Sequence, residues 1–391
     1  MTSSGPPAEA DVVGTAVCPA CGEQSLPGDT FCESCGASLT GSGTDGQAAP
    51  GAGPAPSPGA PPTVPFKHTE DRPDGVEFPA HANGLMAAEC AQCGGEIAAD
   101  GYCSQCGAAA VKKRDHWEER PAAWLGGVTD RGVRHHRNED AMALAAGAQP
   151  GELGVLVVCD GVSSSADSDI ASLAASRAAR DVLASPQADS GSVASRIHGW
   201  TRRLAAAVEA ANEQAVRVAR SRPPDAYRSG GPSSPPSCTF VAAVVDEPLV
   251  VTGWVGDSRA YWLPDAGEPK QLSEDDSWAA EQIALGMSRE EAEVAPMAHA
   301  ITRWLGVDST SHEPRCLALT PEAPGWLMLC SDGLWNYASA AETIAELVAA
   351  TAGRLGDDPV AISDHLVTWA NEQGGHDNIT VALARLTGST A

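Results

Sequence analysis

Basic side chains are scarce in this chain of 391 residues, which carries 25 Lys and Arg against 51 Asp and Glu. The shortage is greatest over residues 1–110, where Lys67 and Arg72 stand against thirteen acidic side chains. Proteins that bind nucleic acid or an anionic membrane surface need a basic face to meet the phosphates. The net charge of −26 therefore argues against both kinds of partner.

Long apolar stretches are also missing. The chain has no run of about 20 apolar residues, the length that a membrane-spanning helix needs. Its first residues are polar and acidic and lack the apolar segment of a secretory signal. These absences predict a cytoplasmic protein. In that reducing compartment, cysteine pairs are more often metal ligands than disulfides.

Cysteine is plentiful and patterned. Eight of the twelve cysteines form two copies of Cys-x-x-Cys, nine or ten residues, Cys-x-x-Cys, and a glycine follows each pair. Two such turns supply the four sulfurs that tetrahedral zinc prefers. We therefore predict two structural Zn²⁺ ions in small zinc ribbons over 15–39 and 87–110, although a redox dithiol is the alternative. The ligands would be Cys18, Cys21, Cys32 and Cys35 in the first ribbon and Cys90, Cys93, Cys103 and Cys106 in the second.

Composition divides the rest of the chain. A flexible linker is predicted over 40–86, because 13 of the 25 residues at 41–65 are Gly or Pro. A charged connector over 111–123 then leads to a globular domain over 124–388. Apolar runs predict strands at 154–160, 239–245, 249–257, 259–263, 326–332 and 378–386. Helices are expected at 168–184, 194–220, 340–350 and 358–372, and Cys159, Cys238, Cys316 and Cys330 are expected in the core.

Acidic residues mark the ends of several predicted strands. Asp160, Asp332 and Asp377 lie at such edges, and "RNED" places Glu139 beside Asp140. Each carboxylate alone could simply cap its own turn. Several at one end of a sheet would repel each other unless a cation lay between them. Ligation by oxygen alone suits magnesium or manganese.

The order of these motifs resembles the metal-dependent protein phosphatase family, type 2C. The resemblance covers about 124–388 and includes "GDSRAYWL" (256–263), "QLSEDDSW" (271–278), "ITRWLG" (301–306), "CSDGLW" (330–335) and "HDNITVAL" (376–383). It implies an α+β fold, a four-layer α-β-β-α sandwich, preceded here by the two ribbons. It also implies two Mn²⁺ or Mg²⁺ ions at one edge, with a possible third.

The resemblance assigns roles to the metal ligands. Asp160 would bridge both metals, and the Gly161 carbonyl would bind one of them. Asp332 and Asp377 would complete the other metal's ligands. Asp257 in "GDSR" would contribute to a third, weaker site.

Further roles fall on the "RHHRNED" stretch and its neighbour. Glu139 and the catalytic Asp140 would bind metal directly or through water, and Asn378 would support the site. An arginine would bind the substrate phosphate, because its fork is bidentate and stays charged. Arg134 is our choice, with Arg137 as the alternative. Family members usually have one residue fewer between this arginine and the Glu-Asp pair, which suggests a one-residue bulge here.

Three positions depart from the family pattern. Val162–Ser165 replaces a glycine-rich loop that often carries a histidine, so a histidine general acid is absent there. Asp276 replaces a frequent histidine, and Asn336 stands where a third-metal aspartate often lies. The two-metal centre is untouched by these changes. Four histidines in loops are expected at the surface and not as ligands, namely His135, His136, His312 and His376.

The sequence therefore predicts a serine/threonine protein phosphatase. A metal-bridging hydroxide would attack phosphoserine or phosphothreonine in substrates of cytosolic serine/threonine kinases. The ribbons would form a regulatory or docking arm for a protein partner. One alternative is a weakly active phosphatase-like scaffold that uses the ribbons for recognition. Another is a phosphatase for a small phosphorylated metabolite.

Overall fold

The computed structural model describes residues 93–98, 103–106, 110, 112–185, 191–221 and 234–388, and two strands near the N-terminus. The chain divides into two compact units, Met1–His81 and Ala82–Ala391. The predicted linker, Cys90 and the four cysteines of the first ribbon lie outside the described residues. Among the helices of the described part, none combines the length and apolar content of a membrane span.

In the first unit, the described residues form one short antiparallel pair. Strand β1 (Ala16–Val17) pairs with β2 (Gln24–Ser25). These strands enclose the positions of Cys18 and Cys21 in the sequence.

A six-stranded antiparallel sheet carries one half of the second unit. Its order is β11 (Lys270–Gln271), β10 (Arg259–Pro264), β14 (Gly325–Cys330), β15 (Ile379–Leu386), β4 (Leu125–Asp130) and β3 (His116–Ala122). The central strands read as nearly continuous apolar runs because both of their faces are covered.

A five-stranded antiparallel sheet carries the other half. Its order is β13 (Arg315–Leu319), β9 (Leu249–Val255), β8 (Phe240–Asp246), β6 (Gly154–Cys159) and β5 (Ala141–Ala146). Beside it, β7 (Ser237–Cys238) pairs with β12 (Leu305–Gly306).

Side-chain alternation along β6 separates two apolar cores. Leu156 and Val158 belong to a cluster that also contains Leu327 and Ala382 from the six-stranded sheet. The intervening Val155, Val157 and Cys159 belong to a different cluster, built with helices. Since successive side chains of a strand point to opposite faces, one face of β6 meets the other sheet and the opposite face meets the helices.

Helices cover the outer faces. Helices α1 (Ser168–Ala184) and α2 (Val193–Arg220) pack on the five-stranded sheet, while α6 (Ala341–Leu355) and α7 (Pro359–Gln373) pack on the six-stranded one. The short helices are α3 (Trp278–Ala284), α4 (Arg289–Glu293) and α5 (Asp332–Trp335). Capping fixes the helix starts: Asp358 accepts from Val360 and Ala361 N–H groups, with Pro359 at the first helical position.

The structure confirms the four predicted long helices and the six predicted strands to within a few residues. The connector predicted over 111–123 needs correction, because β3 occupies most of it and pairs with β4. The sequence "HWEERPA" hides this strand, since an edge strand exposes its polar side chains. Cys159, Cys238 and Cys330 are buried as predicted, and Cys316 is half-buried.

Candidate functional site

Strand register brings the predicted acidic residues to one edge of the two sheets. Ala141 pairs with Cys159, so Asp140 and Asp160 flank each other just beyond the ends of β5 and β6. In the other sheet, Cys330 pairs with Val381, so Asp332 follows β14 close to where Asp377 precedes β15. Burial and then the charges of four neighbours raise the pKa of Asp160, and these neighbours are Asp140, Asp332, Asp377 and Asp257. We call these five residues the acidic cluster.

Asp140 links the two sheets through its carboxylate. Ser331 Oγ and Thr380 Oγ1 both donate to Asp140 Oδ2, at 2.6 and 2.8 Å. Behind Thr380, its hydroxyl lies 2.7 Å from that of Thr129, to which Asn138 Nδ2 donates. This buried chain of donors fixes the orientation of one carboxylate oxygen. The other oxygen is left for a different partner.

Two carboxylate oxygens of the cluster are buried without a hydrogen-bond partner, Asp140 Oδ1 and Asp332 Oδ1. A buried polar oxygen that lacks a partner is costly. Oxygen atoms of this kind are the ligands that Mg²⁺, Mn²⁺ and Ca²⁺ take. The residues present therefore fit a divalent cation.

The raised pKa values of the cluster carboxyls also indicate a cation site. Burial, with the charge of Asp332 adding to it, raises the pKa of Asp377 to about 8. Burial raises the pKa of Asp140 to about 6, with Asp332 also contributing and the Ser331 and Thr380 hydroxyls opposing. Burial and neighbouring carboxylates raise the pKa values of Asp160 and Asp257 as well. The cluster therefore cannot carry all its negative charges at neutral pH unless a cation joins it.

Glu139 lies at the rim of the acidic cluster and is held by basic and hydroxyl groups. Arg137 reaches Glu139 Oε1 through Nε at 3.0 Å and Nη2 at 2.6 Å, and Ser168 Oγ donates to the same oxygen at 2.5 Å. Burial opposes ionisation, but contacts with His135, Ser168 and Arg137 lower the pKa of Glu139. Arg137 Nη2 also donates to the Ser165 carbonyl at 3.1 Å, so it ties Glu139 to the Val162–Ser165 loop.

The two candidate phosphate-binding arginines differ in their surroundings. The Arg134 side chain is exposed, and its backbone N–H donates to the Gly375 carbonyl at 3.1 Å. The Arg137 guanidinium is committed to Glu139 and Ser165. Arg134 is therefore the more available of the two for an incoming phosphate.

His135 is a residue of this site that sequence reasoning missed. Its Nε2 lies 3.3 Å from Asp377 Oδ1 and its Nδ1 lies 3.7 Å from Glu139 Oε2. The expectation of a surface histidine is thus wrong for His135, which is mostly buried. The same expectation is confirmed for His136, which is exposed. No sequence signal marked His135, because residues 131–140 form a loop and the contact with Asp377 depends on the geometry of that loop.

Asn378 and Gly161 support the cluster through the backbone. Asn378 Oδ1 accepts from the Glu139 N–H at 2.7 Å, and Asn378 Nδ2 donates to the carbonyls of Arg131 and Arg137 at 2.6 and 3.1 Å. A Cβ atom at Gly161 would lie 2.5 Å from the Glu139 carbonyl oxygen. Glycine is therefore required there for the Asp160 loop to approach the backbone of Glu139.

The departures from the family pattern have structural roles. Asp276 is buried, accepts from the Gly256 N–H at 3.0 Å and pairs with Arg315 at 2.7 Å. It thereby holds the turn that leads to Asp257. Asn336 Nδ2 donates to Asp332 Oδ2 at 3.1 Å, a bond that an ionised aspartate could not make.

A separate group of thiols forms in the second predicted ribbon. The sulfurs of Cys93, Cys103 and Cys106 all lie within 4.8 Å of one another. Ile97 and Cys103 form a bridge between two short segments, and Ser104 N–H donates to the Glu96 carbonyl at 3.0 Å. Backbone N–H groups of Cys106 and then Gln105 lower the pKa of Cys103 to about 6. Such thiolates are suited to ligate a metal.

Comparison with known proteins agrees with this geometry. Residues 131–371 match the family described as Protein phosphatase 2C. A serine/threonine phosphatase stp from Listeria welshimeri is 33% identical over 258 residues, which cover 65% of this chain and 92% of that protein.

Solved structures share the fold. Serine/threonine phosphatase Stp1 from Staphylococcus aureus has a TM-score of 0.56 and 25% identity over 68% of this chain and 95% of its own. The catalytic domain of the phosphatase PstP, solved in complex with two manganese ions, has a TM-score of 0.50 and 24% identity over 69% of this chain and 98% of its own. Because the family matches most of the chain and the Listeria relative is similar over nearly its whole length, this chain belongs to the protein phosphatase 2C family.

Proposed function

We propose that the acidic cluster is the catalytic centre of a metal-dependent serine/threonine protein phosphatase. The observation that carries this proposal is the convergence of buried carboxylates with the unpartnered oxygens of Asp140 and Asp332. The named activity of the relatives supports the same class of enzyme. The substrates are phosphoserine and phosphothreonine side chains of proteins, in keeping with kinase targets in the cytoplasm.

The acidic cluster would hold two Mn²⁺ or Mg²⁺ ions, as many as the PstP structure contains manganese ions. Asp160 would contact both ions, and the Gly161 carbonyl one of them. Asp332 and Asp377 would serve the other. When bound, these cations lower the pKa of coordinated water and offset charge on the phosphoryl oxygens. As the family resemblance implies, Asp257 would serve a third, weaker ion. Burial and then the charge of Asp332 raise the pKa of Asp257, in keeping with a place near the other carboxylates.

The surrounding side chains of this chain orient the reactants. Ser331 and Thr380 hold Asp140 by two hydrogen bonds to Oδ2, which leaves Oδ1 available to a cation. Asn378 fixes the backbone of Glu139. The exposed Arg134 guanidinium would bind the substrate phosphate as a bidentate donor. Arg137 would keep Glu139 in place.

The thiol group of Cys93, Cys103 and Cys106 would hold a structural Zn²⁺ with Cys90 as its fourth ligand. The support is the proximity of three sulfurs and the thiolate character of Cys103. By sequence repeat, Cys18, Cys21, Cys32 and Cys35 would form a second such site. The two ribbons would serve as a docking arm for a protein partner. The two sheets of the second unit and their covering helices would be the four-layer sandwich that the family resemblance implies.

The test compares phosphate release from a phosphothreonine peptide by wild type, Asp332→Asn and Asp181→Asn, with Mn²⁺ or EDTA. Asp181 is an exposed control on α1, paired with Arg180. We expect Mn²⁺-dependent turnover in wild type and Asp181→Asn, and a loss of about a hundredfold or more in Asp332→Asn. A folded wild type without turnover in Mn²⁺ or Mg²⁺ would refute the proposal and favour the scaffold alternative.

A further inference from the structure

Residues 112–115, which precede β3, are anchored to the Asp140 loop and to helix α1 of the second unit. Arg114 lies eight positions after Cys106 and two before β3. Its Nη2 donates to the Asp140 carbonyl at 3.0 Å, to the Asp169 carbonyl at 2.8 Å and, at 3.5 Å, approaches Ser172 Oγ. Asp140 begins the approach to β5, and Asp169 lies in the first turn of α1. One guanidinium therefore joins the acidic cluster to a helix.

This guanidinium is buried. Arg114 Nη1 has no hydrogen-bond partner although it is inaccessible to solvent. Burial lowers the pKa of Arg114 to about 10, and the charges of Asp169 and Asp140 oppose that shift. Keeping a cation in such a place is costly, so its fixed contacts with the two carbonyls must offset the cost.

The neighbouring Asp115 extends the same anchor. Its carbonyl accepts from the Arg131 N–H at 2.7 Å, and its carboxylate lies 3.7 Å from Arg131 Nη1. Asp115 Oδ2 also accepts from the Lys112 N–H at 2.9 Å. Arg131 opens the loop that leads to Glu139 and Asp140. The segment thus holds both ends of that loop, through Arg131 and Asp140.

We propose that Arg114 is a positioning residue of the metal centre, which sets the distance between the Asp140 backbone and the first turn of α1. The proposal rests on the proposed function of the acidic cluster as a divalent-metal site. Its consequence is that metal affinity depends on a segment outside the acidic motifs.

The direction of the change in Mn²⁺ affinity distinguishes a positioning role of Arg114 from a purely electrostatic one. A cation near a metal site repels the incoming ion, so removing its charge alone would strengthen Mn²⁺ binding. Removing a positioning group weakens binding, typically tenfold or more for partners that orient ligands. Arg114→Met removes the charge and the hydrogen bonds together. Arg114→Lys keeps the charge, but a single ammonium cannot reproduce the fork between two carbonyls.

The test measures the Mn²⁺ dissociation constant of the full chain by titration calorimetry, beside thermal unfolding in EDTA. The matched control is Arg120→Met, because Arg120 lies in the adjoining strand β3 and makes an exposed ion pair with Asp358 at the start of α7. We expect about tenfold weaker Mn²⁺ binding for Arg114→Met, a smaller loss for Arg114→Lys and no change for the control.

Unchanged or tighter binding in a folded Arg114→Met would overturn the proposal, as would an equal loss in Arg120→Met. If Arg114→Met does not fold, Arg114→Lys decides: wild-type affinity in that variant overturns the proposal. A wild type that binds Mn²⁺ without hydrolysing the phosphopeptide would refute the phosphatase function but leave this comparison intact.

Discussion

At the scale of single residues, the two oxygens of Asp140 have opposite surroundings. One accepts hydrogen bonds from Ser331 and Thr380, and the other is buried without a partner. The hydroxyls thereby favour the ionised form of Asp140 against the effect of burial. A carboxylate held in this way is prepared to bind a cation with its second oxygen.

Thr380→Val should therefore weaken Mn²⁺ binding about tenfold, because the isosteric change removes one of the two donors to Asp140. Calorimetric titration with Mn²⁺ measures the effect. Thr351→Val is the matched control, since the Thr351 hydroxyl is buried and donates to the Leu347 carbonyl within α6. Equal Mn²⁺ affinities for Thr380→Val and wild type would show that this hydroxyl does not prepare Asp140.

Substitutions of Arg134 and Arg137 should change different quantities, namely KM for the substrate and the affinity for Mn²⁺. Arg134→Ala should raise KM for a phosphopeptide about tenfold with little change in Mn²⁺ affinity, because a charge-assisted hydrogen bond to phosphate is lost. Arg137→Ala should instead weaken Mn²⁺ binding, since Arg137 holds Glu139. Steady-state kinetics at saturating Mn²⁺ and a metal titration measure both. The reverse pattern would assign the phosphate to Arg137.

Some residues of the site could be predicted from the sequence, and others could not. Asp160, Asp332 and Asp377 were predictable because each borders an apolar run whose end fixes its place on a sheet edge. His135 was not, since its contact with Asp377 spans 242 positions and depends on loop geometry. The role of Arg114 could not be predicted either. Its partners are the backbone carbonyls of Asp140 and Asp169, and every residue has a carbonyl, so the sequence does not mark them.

At the scale of elements, helix α5 and the start of β15 approach each other closely. A Cβ atom at Gly333 would lie 2.0 Å from the Asn378 carbonyl oxygen. Asp332, the residue before Gly333, and Asp377, the residue before Asn378, belong to the acidic cluster. The glycine therefore sets the separation of two proposed ligands.

Gly333→Ala should lower both the melting temperature and the Mn²⁺ affinity, because the two segments must move apart to admit the methyl group. Gly353→Ala is the control: Gly353 lies within α6, and beyond the nearby backbone of that helix no atom lies within 4 Å of an added Cβ. That control should be neutral or more stable by up to about 1 kcal/mol, since alanine favours the helix. A Gly333→Ala protein with wild-type Mn²⁺ affinity would contradict this view of α5.

The elements were unequally predictable. β6 is a continuous apolar run and α2 has a clear helical periodicity, so both were found within one residue. β3 was missed, because as an edge strand it carries charged residues and pairs on one side only. β3 forms because it pairs with β4, and the residues of β3 alone do not indicate that pairing.

At the scale of the whole molecule, the buried acids link folding to pH and to metal. The folded-state pKa values of Asp140 and Asp377, about 6 and about 8, lie above the pKa of an unfolded aspartate, which is about 3.9. The unfolded chain therefore releases these protons at lower pH than the folded one. Their contribution to the stability of the metal-free protein is complete below pH ~4 and is lost as pH rises through about 8.

Metal binding should reverse that trend, because Mn²⁺ competes with the same protons. We expect the Mn²⁺-induced rise in melting temperature to grow from pH 6 to pH 8, while the melting temperature in EDTA falls over that range. Differential scanning calorimetry at fixed ionic strength measures both curves. Asp377→Asn should flatten them. A metal effect that is constant with pH would show that these carboxyls do not titrate in the folded protein.

The measurement that tests the central claim most directly is the number of Mn²⁺ ions bound per chain, by calorimetry on zinc-loaded protein, for wild type and Asp160→Asn. The acidic cluster as a binuclear centre predicts two ions in wild type and the loss of at least one in Asp160→Asn, with the fold retained. A folded wild type that binds no Mn²⁺ or Mg²⁺, or an Asp160→Asn protein that binds as wild type does, would contradict it.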